Sequence, residues 1–429
     1  MLISKLKYYF LFTSLILLAS CASPTTEKNN SQGSESDITA KEILGDSTYL
    51  AVCYGGYRTN TREVQPSIIQ IKEDLKIMSA LGIKILRTYN TKYEEIRNLL
   101  KAITELQIED SSFEMYVMLG VWIECENAWT NKQLNHEKEN DKGNADEINR
   151  AVALVKTYPN LIKIVSVGNE AMVHWATSYY VSPKIILRWV EYLQNLKKEK
   201  VLPSSLWITS SDNFASWGGG DSSYHNETLN KLYAAVDYVS IHTYPMHDTH
   251  YNPVFWGIQP SKNNLTKEEE IDSIMLRAWK YAMNQYQQVY SYMQSIGIKK
   301  PIHIGETGWA SHSDGFYGRE GSRACDEYKS AKYYELMRAW TNKEKITCFY
   351  FEAFDEHWKD AQNPKGSENN FGLFTIDGKA KYALWGKVDE GIFKGLTRDG
   401  NPIVKTYQGD DNALLKEVAI PIIKANKNE

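Results

Sequence analysis

Eight short runs rich in β-branched and aromatic residues recur along the chain, and a stretch with helical spacing of apolar residues separates each from the next. They are STYLAVCYGGYR from Ser47, IKILRTYN from Ile83, EMYVMLGVW from Glu114 and LIKIVSVGNEA from Leu161, then SLWITSSDN from Ser205, VDYVSIHTYP from Val236, PIHIGETGWAS from Pro301 and ITCFYFEAFDE from Ile346. A helix between consecutive strands is a crossover, and crossovers make neighbouring strands parallel. Eight such units predict an α/β chain folded as a (β/α)8 TIM barrel over residues 47–400. A doubly wound open sheet would need a glycine-rich phosphate turn after the first strand, and CYGGYR does not supply one. Gly82 closes the helix pattern after the first strand, and the acidic run at Lys267–Glu270 reads as a helix N-terminus favoured by its dipole.

The ends read differently. Lys5 and Lys7 precede the apolar run YYFLFTSLILLAS, which is short for a membrane span and stops at Cys21. Residues 1–20 are therefore expected to be a lipoprotein signal peptide, with Cys21 lipidated. Residues 21–46, beginning ASPTTEKNNSQGSESD after Cys21, carry no apolar face and are expected to be a flexible polar tether. Residues 401–429 form a polar, mixed C-terminal tail for which two outcomes stay open, wrapping the barrel or hanging free. The expected location is a bacterial cell envelope, lipid-anchored and either periplasm-facing or at the cell surface.

Charge removes one class of function. The chain holds 49 Lys and Arg against 53 Asp and Glu, and the leader takes two of the basic residues with it. That acidic balance leaves no footprint for nucleic acid. Export permits disulfides, but Cys53, Cys125, Cys325 and Cys348 allow three pairings, and mostly buried free thiols are expected with room for one bridge. Nothing calls for an oligomer, so a monomer is the working expectation.

In a parallel barrel the C-terminal strand ends surround one site. In strand order they deliver Tyr54; Arg87, Tyr89 and Asn90; Trp122; Asn169 and Glu170; Asp212 and Asn213; His242 and Tyr244; Glu306 and Trp309; Glu352, Asp355 and Glu356. The set is carboxylates, amides, one arginine and aromatics, with no serine elbow and no metal-ligand spacing, so no metal or organic cofactor is expected. His242, His247 and His250 would be the only zinc candidates, and they lack a carboxylate or cysteine partner at metal spacing. Two carboxylates on the fourth and seventh strands suit glycoside hydrolysis, where a retaining enzyme holds its acid/base and nucleophile roughly 5–5.5 Å apart. The acid needs an apolar or like-charged setting to keep its proton, for which His174, Trp175 and the second carboxylate are candidates. The nucleophile needs Arg87 or a tyrosine hydroxyl to stay ionised. With 28 tyrosines and 12 tryptophans, rings are available for sugar stacking; Trp122, Trp129, Trp217 and Trp256 divide between that role and packing.

The motifs AVCYGG, VSVGNEA, GETGWAS, AFDEHWK and ENNFGLF, in this order from Ala51 to about Trp385, resemble glycoside hydrolase family 17, the β-1,3-glucanase family. The resemblance implies a retaining barrel with Glu170 as general acid/base and Glu306 as nucleophile. It implies that Asn169 binds the 2-hydroxyl of the reacting sugar, and that Tyr54 and Tyr244 are groove aromatics. Glu356, Lys359 and Glu368 would form a polar network beside the acid/base and bind sugar hydroxyls. From their places at the strand ends, Arg87, Tyr89 and Trp309 are expected to line the reacting subsite. The implied partner is a β-1,3-glucan polysaccharide or oligosaccharide of laminarin type, cut internally. GVWIECENAW departs from the family's strand-three end, and the long segment after strand six could wall the cleft or offer Trp256 as a platform. Two alternatives remain: a β-1,3-glucanosyltransferase of the same family, and a non-catalytic glycan-binding lipoprotein.

Overall fold

The computed structural model describes residues 38–258 and 265–422. The signal peptide, Cys21 and the tether as far as Asp37 lie outside the described residues.

The barrel strands are β1 (Leu50–Cys53), β2 (Ile83–Arg87), β3 (Tyr116–Val121), β4 (Ile162–Asn169), β5 (Trp207–Asn213), β6 (Val239–His242), β7 (Ile302–Thr307) and β8 (Cys348–Tyr350). All neighbours pair in parallel, and β1 pairs with both β2 and β8, which closes the sheet. The crossovers are α1 (Ile68–Ala80), α2 (Glu95–Glu109), α3 (Asp141–Thr157), α4 (Pro183–Lys198), α5 (Glu227–Ala235), α6 (Lys267–Ser295) and α7 (Glu327–Lys343). The (β/α)8 reading of the sequence is the observed fold.

Local chemistry explains the helix ends. Ser67 caps α1 in a capping box with Gln70, and Thr266 caps α6 with Glu269, each such cap contributing about 1 kcal/mol. Gly82 follows α1 at φ +77°, a conformation that glycine adopts without a Cβ penalty.

One boundary differs from expectation, and for the tail one of the two open outcomes is the one observed. Residues 38–46 are part of the folded domain, not of the tether: Ala40–Ile43 form one helical turn, and Ala40, Ile43 and Leu44 are buried. Their i, i+3, i+4 spacing places three apolar side chains on one face, a signal too short to stand out from the polar stretch before it. Of the tail, residues 401–422 pack onto the barrel, burying Ile403, Leu414 and Val418. Just ahead of them Arg398 reaches the fully buried Asp74 on α1 at 2.9 Å, which also accepts from Arg58 and from the Tyr54 hydroxyl at 2.9 Å. A carboxylate removed from water needs such partners, and here they fasten the end of the barrel to its first helix.

The polar stretch after β3 holds a short hairpin, Cys125–Glu126 paired with Asn135–Glu139, which alternation did not reveal. The segment after β6 forms a helix at Pro245–Tyr251. Cys53, Cys125, Cys325 and Cys348 are all free thiols, so the one bridge left open does not form among them.

Candidate active site

β4 and β7 carry the two glutamates, and glycines make room for both. Gly168 stands at φ +81° and Glu170 itself at φ +47°, so the chain leaves β4 through two left-handed residues. For Glu170 that conformation costs of order 1–3 kcal/mol and turns its carboxyl group over the mouth. On β7, a Cβ at Gly305 would lie 2.1 Å from Ser240 Oγ and 2.2 Å from Ser211 Oγ. Only glycine lets β7 pass that filled polar layer and still deliver Glu306.

Glu306 is surrounded by donors. Tyr244 Oη donates to its Oε1 at 2.6 Å and Tyr89 Oη to its Oε2 at 2.9 Å, while Arg87 Nη1 forms an ion pair with Oε2. Arg87 is buried; it also donates to the Gly305 carbonyl at 2.9 Å and, through Nη2, to Asn169 Oδ1 at 2.6 Å. One guanidinium thus ties both glutamate-bearing strands together. Because Asn169 Oδ1 is taken, its amide N–H groups are left to face a ligand. Phe351 edges against the rings of both Tyr89 and Tyr244 at 6.3 Å and closes the apolar side.

Glu170 has the opposite surroundings. His242 Nδ1 lies 3.1 Å from its Oε1, and His242 Nε2 lies 2.7 Å from Ser211 Oγ. Burial, then the nearby Glu306 charge, pushes the Glu170 carboxyl up to about 8. Burial also pushes Glu306 upward, but His242, Arg87 and the two tyrosine hydroxyls outweigh it and bring Glu306 to about 2. Burial drives the His242 imidazole down to about 4, so at neutral pH it is uncharged and Arg87 is the cation that stands against Glu306. The mouth therefore presents one protonated and one ionised carboxyl group, a division that acid and nucleophile roles require. Asp212 braces the acid: its Oδ2 accepts from the Met172 backbone N–H at 2.7 Å, two residues beyond Glu170.

Arg87, Tyr89, Asn169 and Tyr244 are thus brought together with the glutamates. Several others are not. Tyr54 is buried with its hydroxyl on Asp74, on the helix side of the barrel. Strand alternation puts Cys53 inward, where it meets the Tyr89 hydroxyl, and so turns Tyr54 outward. Trp309 is fully buried, its Nε1 donating to the Ala324 carbonyl at 2.8 Å, and Trp256 packs on it at 5.4 Å. Neither indole faces the cleft, because the chain past Thr307 has already turned into the packed loop layer. Trp217 is likewise core, donating to the Ser240 carbonyl at 3.0 Å.

Glu356 and Lys359 form one buried group with Glu352. Glu356 accepts from the Tyr57 N–H at 3.1 Å and from Trp358 Nε1 at 3.1 Å. Lys359 pairs with Glu352 and lies 3.9 Å from the Phe351 ring centroid, which sets the group on the Glu306 flank and not beside the acid. Glu368 is exposed, 3.8 Å from His247 Nε2, and its charge acts on Glu170, Glu306 and Lys359, so it borders the mouth outside the buried group. His174 stacks on Tyr224 at 4.3 Å and Trp175 is exposed, so neither shields Glu170. His247 and His250 stack on Tyr244 and Phe316. No cluster able to hold a metal occurs among the described residues. His242, weighed from sequence only as a zinc candidate, is the residue whose role was missed. Its place at the end of a buried strand, opposite a carboxylate strand, was the available signal.

A parallel eight-stranded barrel with two facing carboxyl groups of opposite protonation is the architecture of a glycoside hydrolase. The chain belongs to the family described as the BtgE/BtgC glycoside hydrolase domain, which matches residues 51–372. It is similar to a crystal structure of an endo-laminarinase from Formosa Hel1_33_131, at 59% identity and a TM-score of 0.89, covering 91% of this chain and 100% of that one. A family 17 β-1,3-glucanosyltransferase from Rhizomucor miehei shares the fold at 18% identity and a TM-score of 0.53, over 79% of this chain and 97% of that one. A putative glucan endo-1,3-beta-glucosidase from Aspergillus niger is 22% identical over 315 residues, which is 71% of this chain and 37% of that protein. The chain thus spans well under half the length of the curated relatives it matches.

Proposed function

We propose that the chain is a retaining endo-β-1,3-glucan hydrolase of glycoside hydrolase family 17 acting on laminarin-type substrates. The observation that carries this is the pair of glutamates at the strand ends, Glu306 ringed by Arg87, Tyr89 and Tyr244 and Glu170 set against the His242 imidazole, in a chain 59% identical to an endo-laminarinase. Glu170 donates its proton to the glycosidic oxygen as Glu306 attacks the anomeric carbon and the C1–O bond breaks. The leaving sugar departs as an alcohol and a glycosyl ester forms on Glu306. With Glu306 neutralised, Glu170 is the carboxylate; it takes a proton from water, which attacks C1 and restores the β configuration. Asn169, aimed by Arg87, donates to the sugar 2-hydroxyl in the reacting subsite.

The test is a product profile of the soluble protein on laminarin, β-1,4-glucan and mixed-linkage glucan. Short β-1,3 oligosaccharides from laminarin, first seen as β anomers by NMR, support the reading. No release from any of the three, at high protein load, sinks it. Chains longer than the substrate would instead support the second reading, glucanosyl transfer.

We further propose lipid attachment at Cys21 in a bacterial envelope, on the sequence LASC at the end of the leader. Cys21→Ser should move the protein from the membrane fraction to the soluble one; an unchanged distribution sinks the anchor.

A further inference from the structure

Three rings continue the mouth past Glu170, and the two-carboxylate reaction does not use them. Trp122 follows β3, Tyr179 lies between β4 and α4, and Trp129 stands on the loop of the hairpin inserted after β3. Trp122 and Tyr179 are 4.9 Å apart, and Trp129 stacks on Tyr179 at 5.3 Å with the planes 22° apart. Trp129 is 63% exposed.

An exposed indole on a loop ordinarily moves between rotamers, and this one is held. Glu124 Oε2 accepts the Trp122 Nε1–H at 2.9 Å and the Trp129 Nε1–H at 3.0 Å, while its Oε1 accepts from Asn140 Nδ2 at 2.8 Å. One carboxylate therefore fixes both indole planes. The backbone contributes as well: Asn127 stands at φ +66°, which Asn tolerates, and Trp129 at φ +61°, which a bulky residue rarely adopts. A strained turn and a shared carboxylate that together present a solvated indole do not serve burial. They preorganise a face, which lowers the ordering cost of a ligand laid against it.

The ligand side follows from the reaction. Glu306 attacks C1 opposite the departing oxygen, and Glu170 protonates that oxygen, so the departing sugar extends past Glu170 and away from Glu306. The rings sit on the ends of β3 and β4, the Glu170 side of the barrel. The geometry points to Trp129, Trp122 and Tyr179 as a stacking platform for the leaving-side sugars of a β-1,3-glucan, fixed in place by Glu124. The C–H faces of β-linked glucose rings fit aromatic faces, and the carboxylate-bound indole N–H groups point away from the sugar. This inference rests on the glucan reading above and extends it to the leaving-side subsites.

The test uses Trp129→Ala and Trp129→Phe in the full chain. With Glu306→Gln added to stop turnover, laminarihexaose is titrated by calorimetry. Loss of the ring should weaken binding about tenfold, and phenylalanine should recover most of it. With the active proteins, kcat/KM is measured on laminarihexaose and on an aryl laminarioside, whose leaving group is not a sugar. The loss on the hexaose should exceed the loss on the aryl substrate about tenfold. Unchanged affinity in Trp129→Ala, or equal losses on the two substrates, overturns the platform alone. No laminarihexaose affinity with Trp129 intact overturns the glucan reading, and the platform with it.

Discussion

Glu306→Gln is expected to lower laminarin turnover by at least about 10⁴-fold while the protein still folds and still binds glucan. The amide cannot form the glycosyl ester, and it removes the charge that the site is built to hold. Its carbonyl can still accept from Tyr244 or Tyr89, and Arg87 keeps the Gly305 carbonyl and Asn169 Oδ1 as acceptors. The fold therefore loses a charge-assisted bond and not a whole partner, at a cost of about 1.5–3 kcal/mol. Truncation to alanine would leave the guanidinium facing a cavity and costs more, about 3–5 kcal/mol. Thermal melting separates the two variants, and calorimetry with laminari-oligosaccharides reports the retained binding. Residual turnover within tenfold of the parent would remove Glu306 from the nucleophile role.

The barrel was legible because its signal is repeated eight times, so no single ambiguous run decides it. The positions of the glutamates were legible because each stands at a strand end within two residues of a glycine, where a buried charge is otherwise unexplained. Tyr54 and Trp309 misled for a shared reason. A residue just past a strand end can turn to the mouth or to the helix layer, and one-dimensional pattern does not carry that turn. For Tyr54 the partner that settles it is Asp74, twenty residues on; for Trp309 it is the Ala324 carbonyl. The hairpin at Asn135–Glu139 has no apolar alternation, since its side chains are polar and mostly solvated. Its strands are held by backbone pairing and by Glu139 accepting from Trp189 Nε1 at 2.7 Å, a contact between separate elements. The opposite protonation of Glu170 and Glu306 was expected in outline. What produces it, burial and the Glu306 charge at Glu170, and His242, Arg87, Tyr244 and Tyr89 at Glu306, draws on only two further strands, β2 and β6.

The pH dependence follows from that arrangement and gives the second large effect. Glu306 is ionised above about pH 2, so its titration leaves no limb in the working range. Glu170, raised to about 8, is competent as an acid below that pH and loses its proton above it. The profile of kcat/KM should therefore be flat through neutrality and fall above about pH 8. Glu170→Gln should remove that alkaline limb and lower kcat/KM on laminarin by about 10²–10⁴-fold. The loss should shrink on aryl glucosides with good leaving groups, which need little protonation to depart. Azide should then restore turnover of the variant, because an anionic nucleophile needs no base to attack the glycosyl ester, and the product should be the β-glycosyl azide. Asp212 is the rival source of a limb, since burial, together with Glu170, holds it up to about 7 despite its hydrogen bond from Ser216. Asp212→Asn keeps an oxygen for the Met172 N–H and carries no titrating charge. A limb that survives Glu170→Gln and disappears with Asp212→Asn would move the acid role away from Glu170 and leave it to a carboxyl group that does not face the mouth. The raised strand-end conformation at Glu170 would then lack a chemical reason, and retention of the limb in Asp212→Asn is the result that this geometry requires.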